Sequence, residues 1–232
     1  MTNNTQILST VLLDPQFVTK AEGLGVQLDV KSFIKVSAIE SEELAERVVD
    51  LCYLSITAVF TSVNAVKAVS DIIMSADPKW DIYCIGNATM EAVKGQFRAA
   101  EIIGVASNAV ELAKQIIEDG EEEVVFFCGN QRLDTLPDTL RENDVEVFEM
   151  IVYETTQIPT AVEKEYDGIL FFSPSGVDSF FSVNKIKGNT VLFAIGNTTA
   201  NAIKRHTDNK VIFSQTASKD SVVDYAIKYF DK

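Results

Sequence analysis

One histidine (His206), three cysteines and a single tryptophan stand in 232 residues, and Lys and Arg number only 20 against 34 Asp and Glu, a net charge of −14. The shortage of basic residues argues against non-specific binding to nucleic acid or to an anionic membrane, both of which need a positive surface. Cys52, Cys84 and Cys128 are widely spaced and odd in number, without a C-x-x-C, so a disulfide framework or a zinc site is not expected. They are expected to be buried, reduced packing residues. No run reaches the roughly 18 apolar residues of a membrane span, and MTNNTQILST lacks a basic segment followed by a long apolar one. A soluble, cytoplasmic protein is expected. Neither G-x-x-x-x-G-K-[ST] nor G-x-G-x-x-G occurs, so no nucleotide cofactor is expected, and no metal.

Forty-seven per cent of the residues are hydrophobic, enough to close a core and to set intrinsic disorder aside. Short apolar runs alternate with segments of helical period. Strands are expected at Ile7–Thr10, Val26–Val36, Ile56–Thr61, Ile82–Ile85, Ile102–Val105, Val124–Cys128, Val145–Tyr153, Gly168–Phe172, Val191–Ile195 and Val211–Phe213. Helices are expected near 14–22, 41–51, 63–76, 87–97, 107–119, 135–142, 175–183, 197–206 and 218–230. Apolar runs of strand length separated by helices read as parallel strands covered on both faces, the doubly wound α/β pattern. So many strands suit two small sheets better than one.

An internal repeat supports that division. Ile85-Gly-Asn-Ala-Thr-Met-Glu-Ala-Val-Lys94 matches Ile195-Gly-Asn-Thr-Thr-Ala-Asn-Ala-Ile-Lys204 at six of ten positions. Upstream, at nearly the same offset, Ala58–Val66 aligns with Ile169–Val177 and shares Phe60/Phe171, Ser62/Ser173 and Val66/Val177. The second copy lacks strands unless Ile7–Val36 joins it. The expected division is therefore a discontinuous α/β domain, 1–37 with 155–232, and an inserted α/β domain, 38–154.

Each repeated element is a strand running into a helix through a small polar turn. Gly86 and Gly196 permit a tight turn, and the Asn and Thr that follow suit an N-cap; Pro174 can open a helix after Ser173. Helix N-termini present free N–H groups and the positive end of the dipole, so four such turns, at Thr61-Ser62, Gly86, Ser173 and Gly196, form a candidate anion site. Any one turn alone reads first as plain capping; it is the four together, paired by the repeat, that point to a binding cleft.

The order Phe60-Thr-Ser-Val-Asn-Ala-Val66, Ile85-Gly-Asn-Ala-Thr89, Cys128-Gly129 with a following leucine helix, Val152-Tyr-Glu-Thr155, Phe172-Ser-Pro-Ser-Gly176 and Ile195-Gly-Asn-Thr-Thr199 resembles the uroporphyrinogen-III synthase family. The resemblance runs along nearly the whole chain. It implies two similar flavodoxin-like domains joined by a two-stranded linker around a cleft, and cyclisation of the linear tetrapyrrole hydroxymethylbilane to uroporphyrinogen III, with loss of water and inversion of ring D. It implies no cofactor; a monomer is expected. Many members end their first strand in Thr-Arg-Pro, where this chain has Ile7-Leu-Ser-Thr-Val-Leu12, so an arginine is missing from the first turn.

Tyr153 is the catalytic candidate the resemblance implies, since a phenol can donate a hydrogen bond to a departing hydroxyl while uncharged. A tyrosine merely packed in a strand fits the residues as well. His206, after Lys204-Arg205, is expected to be an exposed residue at a helix end. Substrate contacts are expected from Thr61, Ser62, Gly86, Asn87, Thr89, Gly129, Arg132, Ser173, Ser175, Gly176, Gly196, Thr198 and Thr199. Charged contacts are sought among Lys31, Lys35, Arg132, Lys185, Lys187, Lys204 and Arg205.

A two-lobed, non-catalytic binding protein for a small acidic metabolite, or a response-regulator-like module, would share the α/β pattern, but neither accounts for the Tyr153 motif between the repeats. The acidity is also unevenly spread. Residues 38–154 hold 23 acidic and 8 basic residues, whereas 1–37 hold 3 of each and 155–232 hold 8 acidic and 9 basic. Charged carboxylate contacts are thus expected in the discontinuous domain, and neutral amide and hydroxyl contacts in the inserted one.

Overall fold

The computed structural model describes residues 5–213 and 218–231. In chain order the first part holds β1 (Thr5–Ser9), α1 (Pro15–Gly23), β2 (Val26–Val30) and β3 (Ile34–Ala38). Then come α2 (Glu42–Leu51), β4 (Thr57–Phe60), α3 (Val63–Ile73), β5 (Asp81–Ile85), α4 (Asn87–Gln96), β6 (Glu101–Ala106), α5 (Ala109–Glu118), β7 (Glu123–Gly129), α6 (Thr135–Arg141) and β8 (Glu146–Gln157). The last part holds β9 (Gly168–Phe171), α7 (Pro174–Phe181), β10 (Val191–Ala194), α8 (Asn197–Lys204), β11 (Val211–Phe213) and α9 (Lys219–Phe230).

The chain forms two compact units, 1–35 with 156–232 and 36–155. The sheet of the first has the order β11-β10-β9-β1-β2, and the other sheet has the order β3-β8-β7-β4-β5-β6. Every pairing among β1, β2, β9, β10 and β11 is parallel, as are those linking β4 to β8. The expected strand Val26–Val36 is two strands in different sheets. Ser32 Oγ donates to the Ile34 carbonyl at 2.6 Å, turning the chain. Phe33 there is fully buried against Phe180, ring centroids 5.2 Å apart. Alternation of apolar residues does not record such a break, because Val30 and Ile34 suit either strand.

Aligning β9, β10 and β11 with β4, β5 and β6, as the sequence repeat requires, puts β1 opposite β7 and β2 opposite β8. The two spatial orders then coincide, so the units are one design with the chain order circularly permuted. The helices follow the same rule. In the inserted unit, α2, α3 and α4 cover one face through Val48, Val66, Val69 and Val93 on Phe60, Val125 and Phe127. There α5 and α6 cover the other, with Leu112, Ile116, Leu136 and Leu140 on Val124, Phe126 and Cys128. In the discontinuous unit, α7 and α8 pack Val177, Phe180, Ala200 and Ile203 on Leu8, Phe171 and Leu192. Its remaining face carries α1 and α9, through Phe17, Ala21, Val223 and Ile227 on Ile7, Leu170 and Phe193.

Two-sided burial explains why strands such as Glu123–Gly129 read as unbroken apolar runs. Truncating Phe127, stacked between Phe60 and Trp80 at 5.0 and 5.4 Å, would cost about 3–5 kcal/mol. Cys84 and Cys128 are buried free thiols, and burial pushes each up to about 11. Cys52 departs from the expectation of full burial: it lies at the end of α2 and is half-buried, with its thiol directed to the Val48 carbonyl. Among the described residues no helix is long and apolar enough to cross a membrane.

Candidate functional site

In the inserted unit, Gly129, Thr61-Ser62 and Gly86 lie at or just beyond the carboxyl ends of β7, β4 and β5, and Tyr153, inside the adjacent β8, pairs with Gly129 at the end of β7. In the discontinuous unit, Ser173 and Gly196 follow the neighbouring strands β9 and β10, and Thr10 follows β1. The strand order reverses between β4 and β7 in one sheet and between β1 and β9 in the other. Such switch points, at the carboxyl ends of parallel strands, are where open α/β sheets bind ligands.

The turns are of two kinds. Ser62 and Ser173 are side-chain N-caps, accepting from the amides of Asn64 at 3.2 Å and Gly176 at 3.1 Å. Ser173 Oγ also lies 3.3 Å from Ser175 Oγ. Gly176 is buried, and a Cβ there would press on Ser173 Oγ at 3.2 Å, so its role is to give the cap room. Thr61 is half-buried beside its capping neighbour.

By contrast, α4 and α8 begin at Gly86 and Gly196, neither with a side-chain cap. The N-cap is thus the glycine, and Asn87 and Asn197 are the first helical residues rather than the caps expected. The amides of residues 87–89 and 197–199 have no intrahelical acceptor. Burial runs identically through Ile85–Thr89 and Ile195–Thr199: half-buried, half-buried, exposed, exposed, buried. Asn87 and Thr198 therefore face solvent, while Thr89 and Thr199 sit under their turns. The backbone differs, since Gly86 has φ +79 whereas Gly196 is extended at φ −171. The positive φ reserved for glycine is required only at Gly86.

Tyr153 owes its placement to a shift in register. Cys128 pairs with Ile151, but Gly129 pairs with Tyr153, leaving Val152 as an extra residue. Val152 and Tyr153, which regular alternation would send to opposite faces, both pack on the same core cluster. The Tyr153 ring covers Gly129 so closely that a Cβ there would collide with Cζ. Gly129 is itself buried, so it contributes space for the phenol rather than a surface of its own. Tyr83 repeats this geometry over Gly104, also beside a register shift. Its hydroxyl, however, donates to Asp119 at 2.7 Å, and burial and that carboxylate push its ionisation well above the ordinary tyrosine value. Tyr153 is half-buried, and among the described residues no group hydrogen-bonds its hydroxyl. The Tyr83 phenol is thus tied to the fold, whereas that of Tyr153 has no hydrogen-bond partner among the described residues.

The basic candidates disperse. Arg132 is engaged by Glu149 and Asp134, which hold it firmly charged but occupied. Arg141 donates to the other oxygen of Glu149 at 2.7 Å. Burial alone would raise Glu149, but the two guanidiniums outweigh it and hold the carboxyl below its usual range. Lys185 and Lys187 line a cavity of about 270 Å³ with Lys164 and Tyr166, at the amino ends of β9 and β10, opposite the turns. Lys187 is paired there with Glu165. Lys31 donates to the Ala161 carbonyl at 3.2 Å. Lys35 lies on β3. Lys204 and Arg205 end α8, roughly 12 Å from its N-terminus for eight residues at 1.5 Å each. His206 is more constrained than expected: Nε2 lies 2.8 Å from Asp178 Oδ1, and the ring stacks on Phe181 at 4.9 Å.

Thr10 is a residue the sequence pattern did not single out. It is fully buried, its Oγ1 donates to the Leu170 carbonyl at 2.8 Å, and it ties the first turn to β9 beside Ser173. Adjacency of β1 and β9, which lie about 160 positions apart in the chain, is what brings it there.

The family model described as uroporphyrinogen-III synthase HemD matches residues 15–224. A crystal structure of a mutant uroporphyrinogen III synthase from the extremely thermophilic bacterium Thermus thermophilus is similar at TM-score 0.70 and 14% identity, over 97% of each chain. That of uroporphyrinogen-III synthetase from Helicobacter pylori 26695 is similar at TM-score 0.66 and 14% identity, over 97% of this chain and 99% of that one. At such identity the two structures establish a shared fold, and the family match establishes kinship.

Proposed function

The chain belongs to the uroporphyrinogen-III synthase family, and we propose that it cyclises hydroxymethylbilane to uroporphyrinogen III as a lyase, with Tyr153 assisting departure of the hydroxyl. The C–O bond of the terminal hydroxymethyl group breaks with its electron pair on oxygen, which leaves as water. The neighbouring pyrrole nitrogen stabilises the carbon left behind. A neutral phenol donating a hydrogen bond to the departing oxygen lowers that barrier without placing a further charge near eight carboxylates. Attack on the carbon left behind by the substituted α-carbon of the terminal ring gives a spiro intermediate. The bond from that same α-carbon to its original methylene bridge then breaks, and the freed methylene bonds to the ring's unsubstituted α-carbon. The proton lost there balances the proton that the departing hydroxyl takes up, and the product is the inverted isomer. Selecting that carbon is a matter of orientation, which can contribute on the order of 7–11 kcal/mol when geometry is held.

The amides opening α4 and α8, with the hydroxyls of Thr89, Thr198 and Thr199, suit substrate carboxylates, and the turns at Thr61-Ser62 and Ser173–Gly176 lie beside them on the same sheets. The proposal includes two domains of one design, 1–37 with 155–232 and 38–154, acting as a cytoplasmic monomer. The observation carrying the reading is the Tyr153 hydroxyl, held over Gly129 at a strand switch point with no protein partner among the described residues.

The test supplies freshly generated hydroxymethylbilane to the purified protein and separates the isomers after oxidation. The type III isomer is expected. Type I alone, formed at the spontaneous rate, overturns the reading.

A further inference from the structure

The loop after β7 grips β8 at the point where Tyr153 sits. The Asn130 amide donates to the Tyr153 carbonyl at 3.2 Å. Asn130 Oδ1 accepts from the Thr155 amide at 2.8 Å. Gln131 Nε2 donates to the Thr155 carbonyl at 2.9 Å. Three hydrogen bonds from two consecutive residues thus bracket Tyr153–Thr155, immediately past the register shift at Cys128/Gly129.

The permuted copy shows what an ordinary ladder looks like at this place. There β1 and β2, the counterparts of β7 and β8, pair without a shift from Thr5↔Val26 to Ser9↔Val30. The ladder continues through a backbone bond from the Lys31 amide to the Ser9 carbonyl at 3.0 Å. In the inserted unit a side-chain oxygen takes over the acceptor's part. A register shifted by one residue turns every following side chain to the other face, so whatever holds the shift also holds the phenol.

We propose that Asn130 is a positioning residue for the reaction, its side-chain oxygen holding the shifted register that places the Tyr153 phenol over Gly129. This rests on the reading of Tyr153 as the group that assists loss of water. With Asn130→Ala, the Thr155 amide loses its acceptor, and the two bonds that remain, from the backbone amide of residue 130 and from Gln131 Nε2, hold β8 less firmly against a slide toward regular pairing that carries the ring away. Displacements of about 1 Å in such sites are worth up to about a hundredfold in rate.

The experiment is a double-mutant cycle on the full chain, read as kcat and KM for type III formation. Asn130→Ala is expected to lower kcat about tenfold with KM little changed, and Asn130→Asp, which keeps the acceptor oxygen, to restore kcat. In a Tyr153→Phe background, Asn130→Ala is expected to have no further effect on kcat, because the group it positions is already gone. Asn130→Ser, which shortens the side chain while leaving a hydroxyl, serves the same comparison if the alanine variant fails to fold. A tenfold loss in both backgrounds, or an Asn130→Asp enzyme as slow as Asn130→Ala, overturns the positioning role while leaving Tyr153 in place. A Tyr153→Phe enzyme at the wild-type rate overturns the reading of Tyr153 and the proposal with it.

Discussion

Gly86 and Gly196 hold the same place in the two copies of the repeat, each the N-cap of the helix that follows, yet one has φ +79 and the other φ −171. Neither would bring a Cβ within 4 Å of another atom. Space is therefore not at issue, and only the backbone distinguishes them. Gly86→Ala is expected to lower stability by about 1–3 kcal/mol, the cost of holding an L-residue in a region essentially reserved for glycine. Gly196→Ala should stay within about 0.5 kcal/mol, since an extended backbone accepts any residue. Urea unfolding of the two variants checks this, and equal losses would contradict it.

Tyr83 and Tyr153 each cover a glycine, but among the described residues only the Tyr83 hydroxyl of the two is hydrogen-bonded, to Asp119. Tyr83→Phe is expected to lower stability by about 1 kcal/mol and leave kcat near its starting value. Tyr153→Phe should do the reverse, lowering kcat at least about tenfold with the melting temperature almost unchanged. Thermal melts alongside single-turnover rates separate the two.

Glu149, bridging Arg132 and Arg141, is held below the ordinary carboxylate range when folded. A depressed folded value gives stability that is present above the unfolded value, about 4.3, and is lost as pH falls through the folded one. Wild type should therefore exceed Glu149→Gln in stability at about pH 7, with the gap closing as the solution is acidified below about pH 4. Denaturant midpoints across that range report it; a gap independent of pH would show that the charge of Glu149 plays no part.

The inserted unit, residues 36–155, holds 23 acidic and 8 basic residues, a net of −15, and the rest of the chain is near +1. A substrate with eight carboxylates meets repulsion from the one and little attraction from the other. If neutral amides and hydroxyls do most of the holding, salt screens the repulsion and KM should fall between about 20 and 200 mM NaCl, as the screening length shrinks to under about 10 Å. A KM that rises over this range would assign the carboxylates to lysines and arginines instead.

Local pattern makes much of this legible. Val124–Cys128 reads as a doubly covered strand because both faces of β7 are buried, and Ser62 and Ser173 read as caps because a hydroxyl before an apolar helix is used in that way. The repeat at Ile85 and Ile195 predicts a shared turn, and the two turns have matching burial residue by residue. Arg132 reads as an available cation because only one of its two partners, Asp134, stands near it in the chain; Glu149, the other, lies on β8, 17 positions away, where spacing gives no sign of it. The break between Val30 and Ile34 leaves no mark in the pattern because β-branched residues fit either side of it.

The sequence by itself determined the α/β alternation, the paired turns and the family likeness, all of which depend on residues within a few positions of one another. Tertiary structure alone decided that β1 and β2 stand where β7 and β8 stand in the other unit, so that a second copy apparently short of strands is complete in permuted order. It alone decided which tyrosine is free, because a one-residue register shift and the acceptors offered by Asp119 and Asn130 arise between strands and loops that meet only in the folded chain.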